Sequence, residues 1–153
     1  MVVFGLVLGA ADRFGAKTKE LSELNVKHGI LYGLAQSLAL VPGVSRSGAT
    51  IAMGRYLGYS REAALRYSFL LALPAVFGSG LYELKSALSD NQVAVYSLSE
   101  TLVATVIAFV IGYLVISWLL KFVTTKSFAP FIIYRVVLGT TVLVLLASGV
   151  LQP

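Results

Sequence analysis

The sequence contains no cysteine, which excludes disulfides, thiolate metal sites and thiol nucleophiles. It has one histidine, His28, so no His–His metal pair can form within the chain. Charged residues make up only 12% of it against 58% apolar, and the mean hydropathy is +0.86, well outside the range of soluble domains. A polar surface is what this chain lacks, and the composition is that of an integral membrane protein. Acids are scarce too: 7 Asp and Glu stand against 12 Lys and Arg, a net charge of +5. That excess suits basic loops beside anionic lipid and an anionic substrate equally well. The basic region and cleavage site of a signal peptide are also missing from the N-terminus. Residues 1–11 are apolar throughout, but a span needs about 20 such residues. They read as the end of a transmembrane helix whose beginning is missing, and residues 1–153 as a single transmembrane domain from the C-terminal part of a longer protein.

Residues 12–27 mix both charge signs and suit a loop or interfacial helix. An apolar stretch over 29–41 then meets Pro42-Gly43, and a second short helical stretch resumes over 49–58. Neither piece can cross a bilayer alone, which predicts a re-entrant pair broken near mid-depth. Gly29 and Gly33, and again Gly54 and Gly58, are spaced for close helix packing. Ser60 is placed to cap a helix running to about residue 84, with Glu62 in its first turn and Pro74 expected to kink it. Glu62 and Arg66 suit an i,i+4 surface pair. After a polar connection at 86–97, residues 101–120 form an uncharged 20-residue run, the clearest span. A loop at 121–126 leads into a last span over 128–150, which carries Arg135 about two turns in. Arg135 either snorkels to the interface or faces the bundle interior as a second cation. The fold class is all-α: a polytopic membrane helix bundle with a re-entrant broken helix pair.

The chemistry concentrates in 40–50, where one arginine and three hydroxyls interrupt apolar sequence. A guanidinium and an unwound backbone are tolerated at membrane depth only inside protein or a wet cavity. A helix starting near Ser47 would aim unpaired N–H groups at the break. Gly43 and Gly48 can take positive φ and let backbone approach an oxyanion. Arg46 offers a planar fork matched to phosphate oxygens, and Ser45, Ser47 and Thr50 add hydroxyls. Phosphate or diphosphate binding follows, against the blander alternative in which Arg46 ties down backbone carbonyls. The P-loop pattern G-x-x-x-x-G-K-[ST] is absent, as is the closing glycine of G-x-S-x-G. Arg46-Ser47-Gly48 suggests a cysteine-phosphatase loop only superficially, because Leu40 stands where its nucleophile would be.

The segment 33–50, with Pro42-Gly43-Val44-Ser45-Arg46-Ser47-Gly48-Ala49-Thr50 at its end, resembles the P-G-x-S-R-S-G-x-T signature of bacterial undecaprenyl-diphosphate phosphatases, the bacitracin-resistance family. Residues 61–75 and the run Phe131-Ile132-Ile133-Tyr134-Arg135 with Gly139 resemble later segments of that family. The resemblance implies an enzyme of the bacterial inner (plasma) membrane that removes the terminal phosphate of undecaprenyl diphosphate for cell-wall synthesis. It implies a fold of two inverted repeats, of which this chain is the C-terminal one. Arg46 would be catalytic, and Gly43, Ser45, Ser47, Gly48 and Thr50 would bind substrate. The family's E-x-x-x-E and P-V-S-S-T-G-H signature has no match here; Gln36 and Leu40 stand at the corresponding places. A divalent metal (Mg or Ca) would therefore take its ligands from an N-terminal half, and this chain alone would be inactive. The partners implied are the lipid substrate, membrane lipids and that N-terminal half, with no nucleic acid.

Two other functions fit broken helices around an anion: a lipid-phosphate transporter or flippase module, and a non-catalytic diphosphate-binding half-protein. The first would move substrate without releasing phosphate; the second would bind it and stop. Loop charge gives an orientation, since 12–27, 55–66 and 121–126 carry most of the Lys and Arg while 83–100 is acidic on balance. The basic loops are expected in the cytoplasm and 83–100 outside. Single cysteines at Asp90 and Thr124 test this: an impermeant thiol reagent should reach Asp90→Cys from outside and not Thr124→Cys, and the reverse would overturn it.

Overall fold

The computed structural model describes residues 2–15, 18–89 and 97–150. Among them every regular element is helical: α1 (Val2–Phe14), α2 (Val26–Ser37), α3 (Arg46–Tyr56), α4 (Arg61–Ser89), α5 (Leu98–Thr125) and α6 (Ala129–Ala147), with short 3-10 turns at Leu21–Glu23 and Leu38–Leu40. Three helices (α4, α5 and α6) contain stretches long and apolar enough to cross a membrane. Most apolar side chains on α5 from Leu102 to Trp118 are exposed, while Val123 near its end is buried, as suits a helix whose solvent is lipid. The all-α, polytopic membrane bundle expected from composition is what forms.

The helix break is a local consequence of Pro42-Gly43. The 3-10 turn ends at Val41, whose carbonyl accepts from Val44 N–H at 3.1 Å. Pro42 and Gly43 are the two central residues of that turn, and Gly43 has φ of 86°. Proline followed by a positive-φ glycine is the type II pattern. Ser45 then caps α3, its hydroxyl accepting from Gly48 N–H at 3.2 Å, so α3 starts one residue earlier than expected.

α3 is short, and packing holds it in place. It lies against α1, α2 and α4, while α6 packs on α1 and α5 on α4. Gly54 carries the closest approach: a Cβ there would overlap the Tyr32 hydroxyl and come within 2.8 Å of Ala64 Cβ. Gly33, by contrast, has nothing within 4 Å, so only one of the two spaced glycine pairs includes a tight contact. Tyr32, Tyr59 and Tyr67 fill the space between α2, α4 and the turn after α3. The His28 ring shares a 2.7 Å hydrogen bond with the Tyr59 hydroxyl, which places His28 structurally at the start of α2. Burial first, then the charge of Glu23, pushes the Tyr59 phenol above its ordinary value, so it stays neutral.

A buried charge cluster ties three helix ends together. Asp12, near the end of α1 and 5% exposed, receives a bidentate pair from Arg61, Nε at 2.7 Å and Nη2 at 2.9 Å. Arg55, fully buried, has its Nε 3.3 Å from the same carboxylate. It also donates to the Tyr59 carbonyl at 2.7 Å and the Asp12 carbonyl at 3.2 Å. Lys19 adds an ammonium on the Leu57 carbonyl at 2.8 Å, so the C-terminal end of α3 is covered by cations, where the helix dipole favours them.

Elsewhere the element boundaries shift. α4 continues through Pro74 to Ser89, at the cost of the hydrogen bond that the Leu70 carbonyl would have accepted. α5 runs on through the expected loop at 121–126, ending at Thr125. Glu62 and Arg66 form the surface pair at 3.8 Å. Asp90 lies outside the described residues. Asp12→Ala should leave the buried Arg55 and the partly exposed Arg61 without their carboxylate and lose about 3 kcal/mol; a detergent-solubilised variant that melts at the parent temperature would sink this account of the cluster.

Candidate functional site

The break gives α3 an open N-terminal end flanked by two cavities, and a third, of about 350 Å³ and lined by Gly43, Val44, Ser45 and Arg135, shares residues with both. The side chain of Arg46, the first residue of the helix, is exposed and lines a cavity of about 670 Å³ together with Gln36, Ser37, Leu40 and Val44. Among the described residues no carboxylate lies within ion-pair distance of it. The Gln36 side-chain oxygen is buried beside this cavity without a hydrogen-bond partner.

Ser45, Ser47 and Gly48 line a second cavity, of about 450 Å³, which Arg135 enters from α6. The two serine hydroxyls are 3.4 Å apart. Arg135 donates from Nη2 to the Gly43 carbonyl at 3.5 Å, a weak contact, and its Nε is buried with no partner. Its guanidinium sits so close to α3 that a Cβ on Gly48 would come within 2.7 Å of Nη1. Arg135 therefore faces the bundle interior, and it is the second cation of the site.

Most of the residues singled out from the sequence come together here, in roles that differ from expectation at three places. Gly43 has the positive φ. Gly48 does not; it is a helical residue whose missing side chain makes room for Arg135. Thr50 is buried, and its hydroxyl donates to the Arg46 and Ser47 carbonyls, both at 3.1 Å. It stiffens the first turn of α3 and lines neither cavity. The contact to a backbone carbonyl weighed for Arg46 is made by Arg135 instead. The pairing of Gly48 with Arg135 joins residues far apart in sequence, and only the intramembrane charge of Arg135 pointed toward it.

Chemically, the site can receive an oxyanion. The first N–H groups of a helix have no intrahelical acceptors, and here the Ser45 hydroxyl caps only that of Gly48. Two guanidiniums and two hydroxyls surround this end, and no carboxylate lines either cavity. The same set does not fit a divalent cation, which needs oxygen ligands, mainly carboxylates. The buried carboxylate of Asp12 is taken by Arg55 and Arg61, and the described residues contain no group of three His, Asp or Glu that could hold a metal. Among the described residues no carboxylate or imidazole stands at the break to act as a base.

Comparison with known proteins shows the family. A family model described as bacitracin resistance protein BacA matches residues 1–141. The undecaprenyl-diphosphatase of Nocardioides sp. (strain JS614) is 56% identical over 151 residues, 99% of this chain and 54% of the relative. That of Micrococcus luteus is 55% identical over 153 residues, again 99% of this chain and 55% of the relative. The Thermobifida fusca (strain YX) protein of the same name is 52% identical over 153 residues, 100% of this chain and 51% of the relative. The chain spans about half the length of these curated relatives. With an apolar helical bundle, a broken helix that opens on an arginine, and this match over nearly its whole length, the chain belongs to the bacitracin resistance protein BacA family.

Proposed function

We propose that this chain is the anion-holding half of an undecaprenyl-diphosphate phosphatase of the bacterial plasma membrane, crossing the bilayer several times. The observation that carries this reading is the open N-terminus of α3. It begins at Arg46, within a P-G-V-S-R-S-G-A-T sequence, inside a stretch whose relatives bear that enzyme's name. Cleaving a phosphoanhydride moves negative charge onto the oxygens of the attacked phosphoryl group and of the leaving phosphate. Fixed donors aimed at those oxygens stabilise that change most where water is scarce. Arg46 and the first N–H groups of α3 supply such donors for the terminal phosphate. Ser45, Ser47 and Arg135 supply them on the other side of the helix end.

The nucleophile, the proton acceptor and the ligands of any Mg or Ca ion are not supplied by the residues at this break. They are assigned to an N-terminal half that completes the fold as a second, inverted repeat, a reading supported by relatives about twice as long as this chain. Bacitracin resistance follows from such an activity, because it regenerates the carrier monophosphate.

Phosphate release from undecaprenyl diphosphate, in detergent with magnesium, tests this. Release is expected when the N-terminal half is co-expressed, and Arg46→Ala should lower it about a hundred- to a thousandfold. Release by this chain alone, abolished in Arg46→Ala, would mean that one repeat suffices. Transport of the lipid without phosphate release would favour the flippase instead. Gly48→Ala should displace Arg135 and slow turnover about ten- to a hundredfold, while Gly112→Ala, with nothing within 4 Å of its added methyl, should leave it unchanged.

A further inference from the structure

The cavity beside Arg46 lies between two helix ends of opposite polarity. On one side α2 gives way to the 3-10 turn Leu38–Leu40, and Gln36, Ser37, Ala39 and Leu40 line the wall. On the other side α3 begins with Arg46. A helix ends on carbonyls and partial negative charge, and starts on N–H groups and partial positive charge. The break therefore sets acceptors of one half-helix against donors of the other. Gln36 adds a side-chain acceptor to the first set. Its oxygen is buried and has no hydrogen-bond partner among the described residues, an arrangement that costs most where water is scarce. The neighbouring Ser37 hydroxyl does not relieve it, since that hydroxyl donates to the Leu34 carbonyl at 2.7 Å.

What meets this oxygen must carry a hydrogen. An ionised phosphate has none to give, and it is drawn to the opposite wall by Arg46 and the first N–H groups of α3. A metal cation would suit the oxygen, but it would share about 670 Å³ with the Arg46 guanidinium and, among the described residues, no carboxylate. A hydroxyl group fits both constraints. It donates its hydrogen to the amide oxygen and keeps its lone pairs free for a phosphorus atom held by Arg46. The amide is neutral, so it neither repels the phosphate as a carboxylate would nor removes the proton itself.

We infer that Gln36 is a catalytic residue whose amide oxygen holds the attacking hydroxyl, of water or of a side chain from the N-terminal half, against the terminal phosphate. This rests on the diphosphatase reading and adds to it the side from which the attack comes. The hydroxyl oxygen bonds to the terminal phosphorus while the bond from that phosphorus to the bridging oxygen breaks. The bridging oxygen leaves on the carrier monophosphate, and the proton passes to the acceptor assigned to the N-terminal half. A side-chain hydroxyl is then freed by water in a second step of the same kind. Gln36 contributes alignment, on which phosphoryl transfer depends heavily.

The test compares Gln36→Leu, Gln36→Met and Gln36→Glu with the parent and Arg46→Ala, each co-expressed with the N-terminal half. Turnover is followed on undecaprenyl diphosphate labelled with phosphorus-32 at the terminal phosphate, and pyrophosphate binding is measured by calorimetry on the same preparations. Both apolar variants should lower kcat about a hundredfold while KM and pyrophosphate affinity stay within about twofold of the parent. That split marks an interaction made only in the transition state. Arg46→Ala, by contrast, should lose pyrophosphate affinity about tenfold. Gln36→Glu keeps an acceptor oxygen and should recover about tenfold of the lost turnover. Acid-quenched samples identify the hydroxyl, since radiolabel held on protein marks a side chain and radiolabel only in free phosphate marks water. Loss of pyrophosphate affinity in both apolar variants would make Gln36 a phosphate ligand and overturn the assignment. Turnover at the parent rate in those variants would overturn it too, while leaving the diphosphatase reading in place. No phosphate release by the parent would overturn that reading, and this one with it.

Discussion

The carboxylate of Asp12, held between Arg55 and Arg61, is the constraint on which the rest of the bundle depends. It joins the end of α1, the end of α3 and the start of α4 at one buried point. Three charges taken out of water gain little net stability, since desolvation offsets most of their attraction. Their effect is on position. An isolated helix as short as α3 would be unstable in water, and here its C-terminal end is fixed by Arg55 while Lys19 covers the Leu57 carbonyl. With that end anchored, the opposite end can only project toward the break, and its direction is set by the rigid helix between.

The polarity of the molecule follows from the same arrangement. Cations that neutralise carbonyls gather at one end of α3, and cations with little or no counter-charge gather at the other. Arg55 and Arg61 are both paired with the Asp12 carboxylate, and Arg55 also donates to two backbone carbonyls, so they are structural. Arg46 has no ion-pair partner among the described residues, and Arg135 keeps an unpaired Nε and a single long contact. Four arginines of similar intrinsic chemistry are sorted into two roles by whether a carboxylate lies within reach. This also explains why the break suits phosphate oxygens and not a metal ion.

How far the sequence reveals this depends on the range of each interaction. The break was legible because its causes are adjacent: Pro42 and Gly43 make the turn, Ser45 caps the next helix, and Arg46 follows at once. The spans were legible because lipid leaves apolar runs with no competing explanation. Gly48 was read as a residue needing unusual φ, and Thr50 as a ligand, because nothing local indicates that α6 crosses above that turn or that the hydroxyl satisfies its own helix. Arg55 stood out only as a loop charge, since its partner Asp12 lies 43 residues away. The extension of α5 through 121–126 was missed because two lysines look like a loop, yet Lys121 and Lys126 can extend from helix ends as easily as from a turn.

Among the described residues no carboxylate lines either cavity, which has a consequence for turnover. A pocket lined only by fixed positive charge and N–H dipoles grips an anion in proportion to the charge that anion carries. On the proposed reaction the bound lipid gives up one of its two phosphates and so leaves the site with fewer negative charges than it brought. The hold on it then weakens through the chemistry itself.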